Sequence, residues 1–271
     1  FLKIILNVSL FYMTTKFFSL YLRASSSMLV AFLFIFFPTH DSTAYFYLSS
    51  YLSISIGFYL YGYYLVRNDQ YILAGMFALL ASFTSYGSPP VAISLFMLCL
   101  LNKEYKRGAV LIIPNLVYSV YYIILTKVLN IGLQRLPYEF NALAIIKQYA
   151  LQAVTFGDAV FGVSFILKLY YSILENTVIS FLAALLLAIG VFIITQLGNN
   201  EEEKKDGINR ELLVFLITLI FTSFGIFAIT GYFPQLSFNL GNRTTIYGSL
   251  LFAYLLIATP IPYKVKNLVI F

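Results

Sequence analysis

Residues 211–232 read ELLVFLITLIFTSFGIFAITGY, twenty-two positions whose single charge, Glu211, stands first. A barrel strand needs about 9–11 residues to cross a bilayer, and a helix about 20 to cross a hydrocarbon core of about 30 Å. This run has the helical length. In lipid no water is present to bond exposed amides, so the run must satisfy its backbone internally as a helix.

The rest of the chain follows the same pattern. Of 271 residues 61% are hydrophobic and 10% are charged, with a mean hydropathy of +0.87. Soluble domains carry about 25% charged residues, so this chain could not cover a water-facing surface. No alternation of apolar and polar positions suggests a barrel. The sequence reads as an all-α, polytopic transmembrane helix bundle, a single domain over 1–271 with an external loop region at 129–176. Apolar runs place about nine spans, at 2–22, 26–38, 43–66, 71–86, 90–101, 108–128, 177–198, 211–232 and 244–262. The second and fifth are short, so they start deeper, or are broken or re-entrant. No internal repeat is strong enough to name.

Charge sets the orientation. Arg23, Arg67, Lys103, Lys106, Arg107, Lys204, Lys205, Arg210, Lys264 and Lys266 fall in one set of connections. The alternate set, 38–42, 86–90, 129–176 and 233–243, holds only Lys127, Arg135, Lys147, Lys168 and Arg243 at or within it. Ten cations against five puts the second set outside. The net charge of +6 then reflects sidedness in an integral plasma-membrane protein, with no nucleic-acid partner implied. The run NNEEEKKDGINR, 199–210, reads as a solvated cytoplasmic loop. Cys99 lies in an apolar run and reads as a packing residue.

Within the long loop, NALAIIKQYALQAV (141–154) has helical apolar spacing and reads as an interfacial amphipathic helix. Pro137 precedes it as a breaker. FGDAVFG, with glycines around Asp158, reads as a turn. Ser164 to Leu174 reads as a second interfacial helix or the lead-in to the next span. The chain opens at Phe1 within an apolar pattern, without a signal-peptide n-region or cleavage site, and an upstream segment is expected.

Ionisable residues beside lipid are costly and direct attention to function. His40 and Asp41, in FFPTHDSTAYFY (36–47), follow Pro38. Asp41 or Ser42 suits a helix N-cap, and His40 suits a phosphate donor or a general acid–base. Arg243 opens an apolar helix at an external position, where guanidinium and helix dipole together favour phosphate. The structural alternatives are an ion pair with Asp41, Glu139 or Asp158, or snorkelling to head groups. No metal-ligand spacing, phosphate loop or nucleophile elbow is present.

FPTHDSTAY (37–45) resembles the HP-x-H-[ST]-E-A-V segment of the membrane protein O-mannosyltransferases and their bacterial and archaeal relatives, which have the C-type glycosyltransferase fold. SYGSPPVAISLF (85–96) stands in the place of their S-K-E-x-A segment. NRTTIYGSLLFAYLL (242–256) resembles their E-R-[YF]-x-Y-x-P-S-x-G-x-x-L-L segment, with Arg243 and Ser249 matching. The order and approximate spacing agree over 36–256. Asn242 replaces a glutamate, Asp41 stands near a Thr, Ser or Glu position, and Gly87 takes the place of the Lys–Glu element.

The resemblance implies transfer of a sugar from a polyprenyl-phosphate donor to an external acceptor (protein, lipid or glycan). It implies catalytic roles for His40 and Asp41, a phosphate cradle at Arg243 and Asn242, and Tyr138 stacking on sugar. A lateral groove between spans would admit the lipid tail. Such enzymes use an acidic residue or pair in the first external loop as base, often with a divalent cation. That base is expected upstream of Phe1, and the cofactor is otherwise unspecified. The alternatives are a polytopic transporter or polysaccharide-export protein, and a non-catalytic relative of the transferases.

Overall fold

A computed structural model describes residues 2–37, 50–129, 141–175, 177–198, 207–230 and 245–259. Among these residues the regular structure is helical throughout, with no strand. The helices are α1 (Leu2–Phe18), α2 (Ala24–Ile35), α3 (Ser50–Arg67), α4 (Tyr71–Thr84), α5 (Pro89–Leu101), α6 (Tyr105–Ile123), α7 (Ala142–Phe161), α8 (Val163–Leu174), α9 (Val178–Gly198), α10 (Arg210–Thr230) and α11 (Thr245–Ala258). A π-helical turn, Ile124–Val128, extends α6.

Each apolar run expected as a span contains a helix. Length separates them. Tyr105–Val128 and Arg210–Ile229 are long and apolar enough to cross a membrane, and α7 with the start of α8 makes a third candidate bent by 40°. By contrast α2, with 12 residues, rises only about 18 Å at 1.5 Å per residue.

Local sequence explains the boundaries. Pro89 stands at the first position of α5, where its missing N–H costs nothing. Asn209 caps α10 by accepting from the Leu212 amide at 3.0 Å, and Asn141 caps α7 through the Ala144 amide at 3.1 Å. The expected turn around Asp158 is corrected: α7 runs unbroken through Gly157 and Asp158, and the bend falls at Gly162. The reason is a side-chain cap. Asp158 accepts from both the amide and the hydroxyl of Ser164, which gives the first turn of α8 a carboxylate partner and stabilises the corner. Much of the expected external loop is therefore helix packed on α10 and α11.

Packing joins α1 to α3, α3 to α4, α4 to α6, α6 to α5, α5 to α10, α10 to α11, α11 to α2 and α2 back to α1. Eight helices thus form a closed circuit of neighbours, with α9 against α2. Apolar burial does not drive such association in lipid; close packing and interhelical hydrogen bonds do. The buried stripe of α4 accordingly consists of Ala74, Ala78, Ala81 and Ser82. Cys99 is buried and unpaired, packed where α5 and α6 approach at Gly108, as its apolar setting suggested. At the centre Phe17 makes aromatic contacts with Phe18, Tyr63 and Phe215, tying α1 to α3 and α10.

The turns grouped by positive charge come together at one end. Between α3 and α4 lies Asn68-Asp69-Gln70-Tyr71, and between α5 and α6 lies Asn102-Lys103-Glu104-Tyr105, an N-x-[QE]-Y pattern 34 residues apart. In both the second residue is left-handed, Asp69 at φ 59° and Lys103 at φ 58°. In both the next amide closes back across the helix end, Gln70 to the Leu65 carbonyl at 3.0 Å and Glu104 to that of Cys99 at 2.8 Å. Ion pairs link the two turns: Glu104 Oε1 accepts from Arg67 at 2.6 Å and from Arg107 at 2.7 Å, while Arg107 reaches Asp69 at 3.3 Å. Asn102 donates to Glu211 at 3.2 Å, which brings in the start of α10.

Candidate functional site

His40, Asp41, Tyr138, Asn242 and Arg243 lie outside the described residues, as does Glu139. The elements that flank three of the quoted segments are described, and they meet at the end of the bundle opposite the charged turns.

The turn at 85–88 organises this end. Ser85 folds it, its hydroxyl accepting from the Gly87 amide at 3.1 Å and its carbonyl from the Ser88 amide at 3.1 Å. The Tyr247 hydroxyl, on the first turn of α11, donates to the Gly87 carbonyl. A side chain at Gly87 would collide with Leu52 at the start of α3 and lie 2.8 Å from the Tyr247 hydroxyl. The glycine leaves room for both groups, and a side chain here would have to displace them. Gly248 has the same role, since a Cβ there would run into the Phe156 ring of α7.

The segment SYGSPP (85–90) and the helix that follows Arg243 are therefore in direct contact. The start of α3, which follows the His40–Asp41 segment in sequence, packs beside them. Three stretches of the chain separated by up to about two hundred residues converge on one end.

Below this surface is a seam of neutral polar groups. Asn115 Nδ2 donates to Ser88 Oγ at 3.0 Å, the Tyr59 and Ser82 hydroxyls pair at 2.7 Å, and Ser55 donates to the Ala81 carbonyl at 2.9 Å. Ser94 and Thr222 meet at 3.0 Å between α5 and α10. Asn115, Ser88, Tyr59 and Ser82 are buried. Each such bond in a membrane bundle contributes about 0.6 kcal/mol on average; the Asn115 bond anchors the turn through Ser88, and the others join the helices around it. Gln152 of α7 is also buried, and its Oε1 has no partner among the described residues.

Between α2, α9, α11 and the α7–α8 bend lies an apolar cavity of about 500 Å³. It is walled by Phe32, Leu33, Phe36 and Phe37 at the end of α2, by Val160, Phe161 and Phe165 at the α7–α8 bend, by Ala184, Leu187, Ala188 and Val191 of α9, and by Phe252 and Leu256 of α11. All thirteen lining side chains are hydrocarbon. An all-hydrocarbon lining of this kind suits an apolar segment better than a free sugar or a charged solute. The chain leaves this wall at Phe37, and His40 follows three residues later.

Among the described residues no group of three His, Cys, Asp or Glu side chains could hold a metal ion. Away from the charged turns the described carboxylates are Asp158 and Glu175, and Asp158 is engaged by Ser164. No family model, curated protein or solved structure matches the chain.

The sequence reading missed Tyr247, Gly87, Asn115 and the phenylalanine cavity as parts of one region. Tyrosine and serine inside apolar runs were the available signal. Such residues are costly to leave unpaired in lipid, so Tyr59, Ser82 and Ser88 had to find partners across helices.

Proposed function

We propose that the protein is a membrane glycosyltransferase of the C-type class, moving a sugar from a polyprenyl-phosphate donor to an acceptor on the non-cytoplasmic face. One observation carries this reading: the SYGSPP turn and the first turn of α11, two of the three segments that resemble the O-mannosyltransferases, are joined by the Tyr247–Gly87 hydrogen bond. The hydrocarbon cavity supports it, since a polyprenyl donor needs an apolar slot beside a polar head site.

In this reading the tail occupies the cavity behind Phe36 and Phe37, and the phosphate is drawn to Arg243, two residues before α11 begins. A guanidinium there stabilises the charge that accumulates on the departing phosphate. His40 serves as second donor or proton carrier, Asp41 as an acidic partner, Asn242 as a phosphate contact and Tyr138 as a sugar platform. The resemblance implies a principal acidic base in a first external loop, with a divalent cation as its expected companion. Acceptors approach from the 129–176 side.

The test is transfer by the complete enzyme with a polyprenyl-phosphate sugar. Arg243→Ala is expected to lower the rate by about two to three orders of magnitude, the scale of one lost transition-state donor, with an unchanged unfolding midpoint. Unaltered transfer removes the phosphate role. Counterflow of substrate in liposomes without sugar transfer would favour a transporter instead.

A further inference from the structure

The charged end carries an arrangement that sugar transfer does not use. Its two paired turns hold four cations, Arg67, Lys103, Lys106 and Arg107, against two carboxylates, Asp69 and Glu104. Both carboxylates are taken by the arginines. Lys103 and Lys106 are exposed and form no ion pair among the described residues.

One of these lysines is positioned through its backbone and the other through its side chain. Lys103 is the left-handed residue at the apex of its turn, and the Lys106 ammonium sits over the Tyr71 ring, 4.4 Å from its centroid. Next to them the surface turns abruptly apolar. Ile72 is 85% exposed, Tyr105 64%, and Leu101 and Met76 are also open. Gly75 keeps the seam between α4 and α6 shallow, with Val110 as the nearest atom across it.

Cations bordering a bare hydrocarbon face match one molecule with an anionic head and apolar chains. A free anion would gain nothing from the apolar wall. A zwitterionic lipid, with no net charge, would gain less from two exposed cations. We propose that these turns bind an anionic glycerophospholipid, its phosphate engaged by Lys103 and Lys106 and its chains lying along α4 and α6. This stands apart from the transferase reading and survives its failure.

The full chain in detergent, titrated with dioleoylphosphatidylglycerol or dioleoylphosphatidylcholine and read by native mass spectrometry, tests it. The wild type should retain the anionic lipid preferentially. Each of Lys103→Gln and Lys106→Gln should lower that preference about fivefold at low salt, the scale for one basic residue at an anionic surface, and the double variant should abolish it. Lys147→Gln, an exposed lysine on α7, should leave it intact. The charge-keeping pair Lys103→Arg and Lys106→Arg should retain the preference, and loss there too would mark a folding effect and overturn the proposal. No preference in the wild type, full preference in the double glutamine variant, or equal displacement by inorganic phosphate would each overturn it as well.

Discussion

The two ends of the bundle are held together by different chemistry. At one end Arg67, Glu104, Arg107 and Asp69 bridge two exposed turns with ion pairs. At the other, Ser85, Gly87, Ser88, Asn115 and Tyr247 join helices through neutral hydrogen bonds, around glycines that leave no spare volume. Exposed ion pairs contribute about 0–1 kcal/mol and weaken in salt. Buried neutral bonds cannot exchange with water and fix geometry more firmly. A catalytic or binding constellation needs rigid supports, so the neutral end is the better foundation for a site. The charged end is the better place for an adjustable contact with its surroundings.

Four changes break or sharpen this contrast. The largest effect is expected at Gly248. Gly248→Leu drives a side chain into the Phe156 ring and should cost about 1–3 kcal/mol or more of stability through overpacking, read from the unfolding midpoint in detergent; an unchanged midpoint would mean that α7 and α11 are looser than described. Asn115→Leu comes next. It removes the donor to Ser88 and should cost about 0.6–1.7 kcal/mol, equally at low and high salt, because no charge is involved.

Glu104→Gln should cost less, about 0.2–1 kcal/mol. That loss should shrink at about 1 M salt, where screening extends over only about 3 Å; a salt-independent loss would erase the difference between the ends. The smallest effect concerns acid. The Tyr71 hydroxyl, donating at 2.9 Å, and Arg107 hold the Asp69 carboxyl below its ordinary range. A depressed carboxylate contributes stability above its unfolded pKa and loses it as pH falls through the folded value. Asp69→Asn should therefore lower stability slightly at neutral pH, leave it unchanged in acid below the folded pKa of Asp69, and so flatten the acid limb, followed by unfolding against pH.

Much of the architecture was legible because lipid allows few solutions. Long apolar runs had to be helices, and each expected span contains one. The grouping of loops by lysine and arginine assigned the turns at Arg67 and Arg107 to one side, and in the structure these two turns are in contact through Glu104. What failed was local. Glycines around Asp158 suggested a turn, yet the carboxylate's bonds to Ser164 moved the break to Gly162, a side-chain effect that spacing alone does not reveal. The likeness of the two charged turns was hidden for a related reason. Only a few letters are shared, and the equivalence lies in backbone closure around Asp69 and Lys103. The site was legible as segments and not as geometry: SYGSPP and the start of α11 were singled out separately, while their contact depends on Tyr247 reaching a backbone carbonyl. His40, Asp41 and Arg243 themselves lie outside the described residues.

The twin turns also bear on how the chain is assembled. Each closes on its own helix through backbone bonds, so α3 with α4, and α5 with α6, are complete pairs built from neighbouring sequence. Each pair can therefore form from neighbouring sequence as the chain is made. The bridge from Arg67 to Glu104 then forms only once the second pair has arrived, which makes it a marker of docking between pairs.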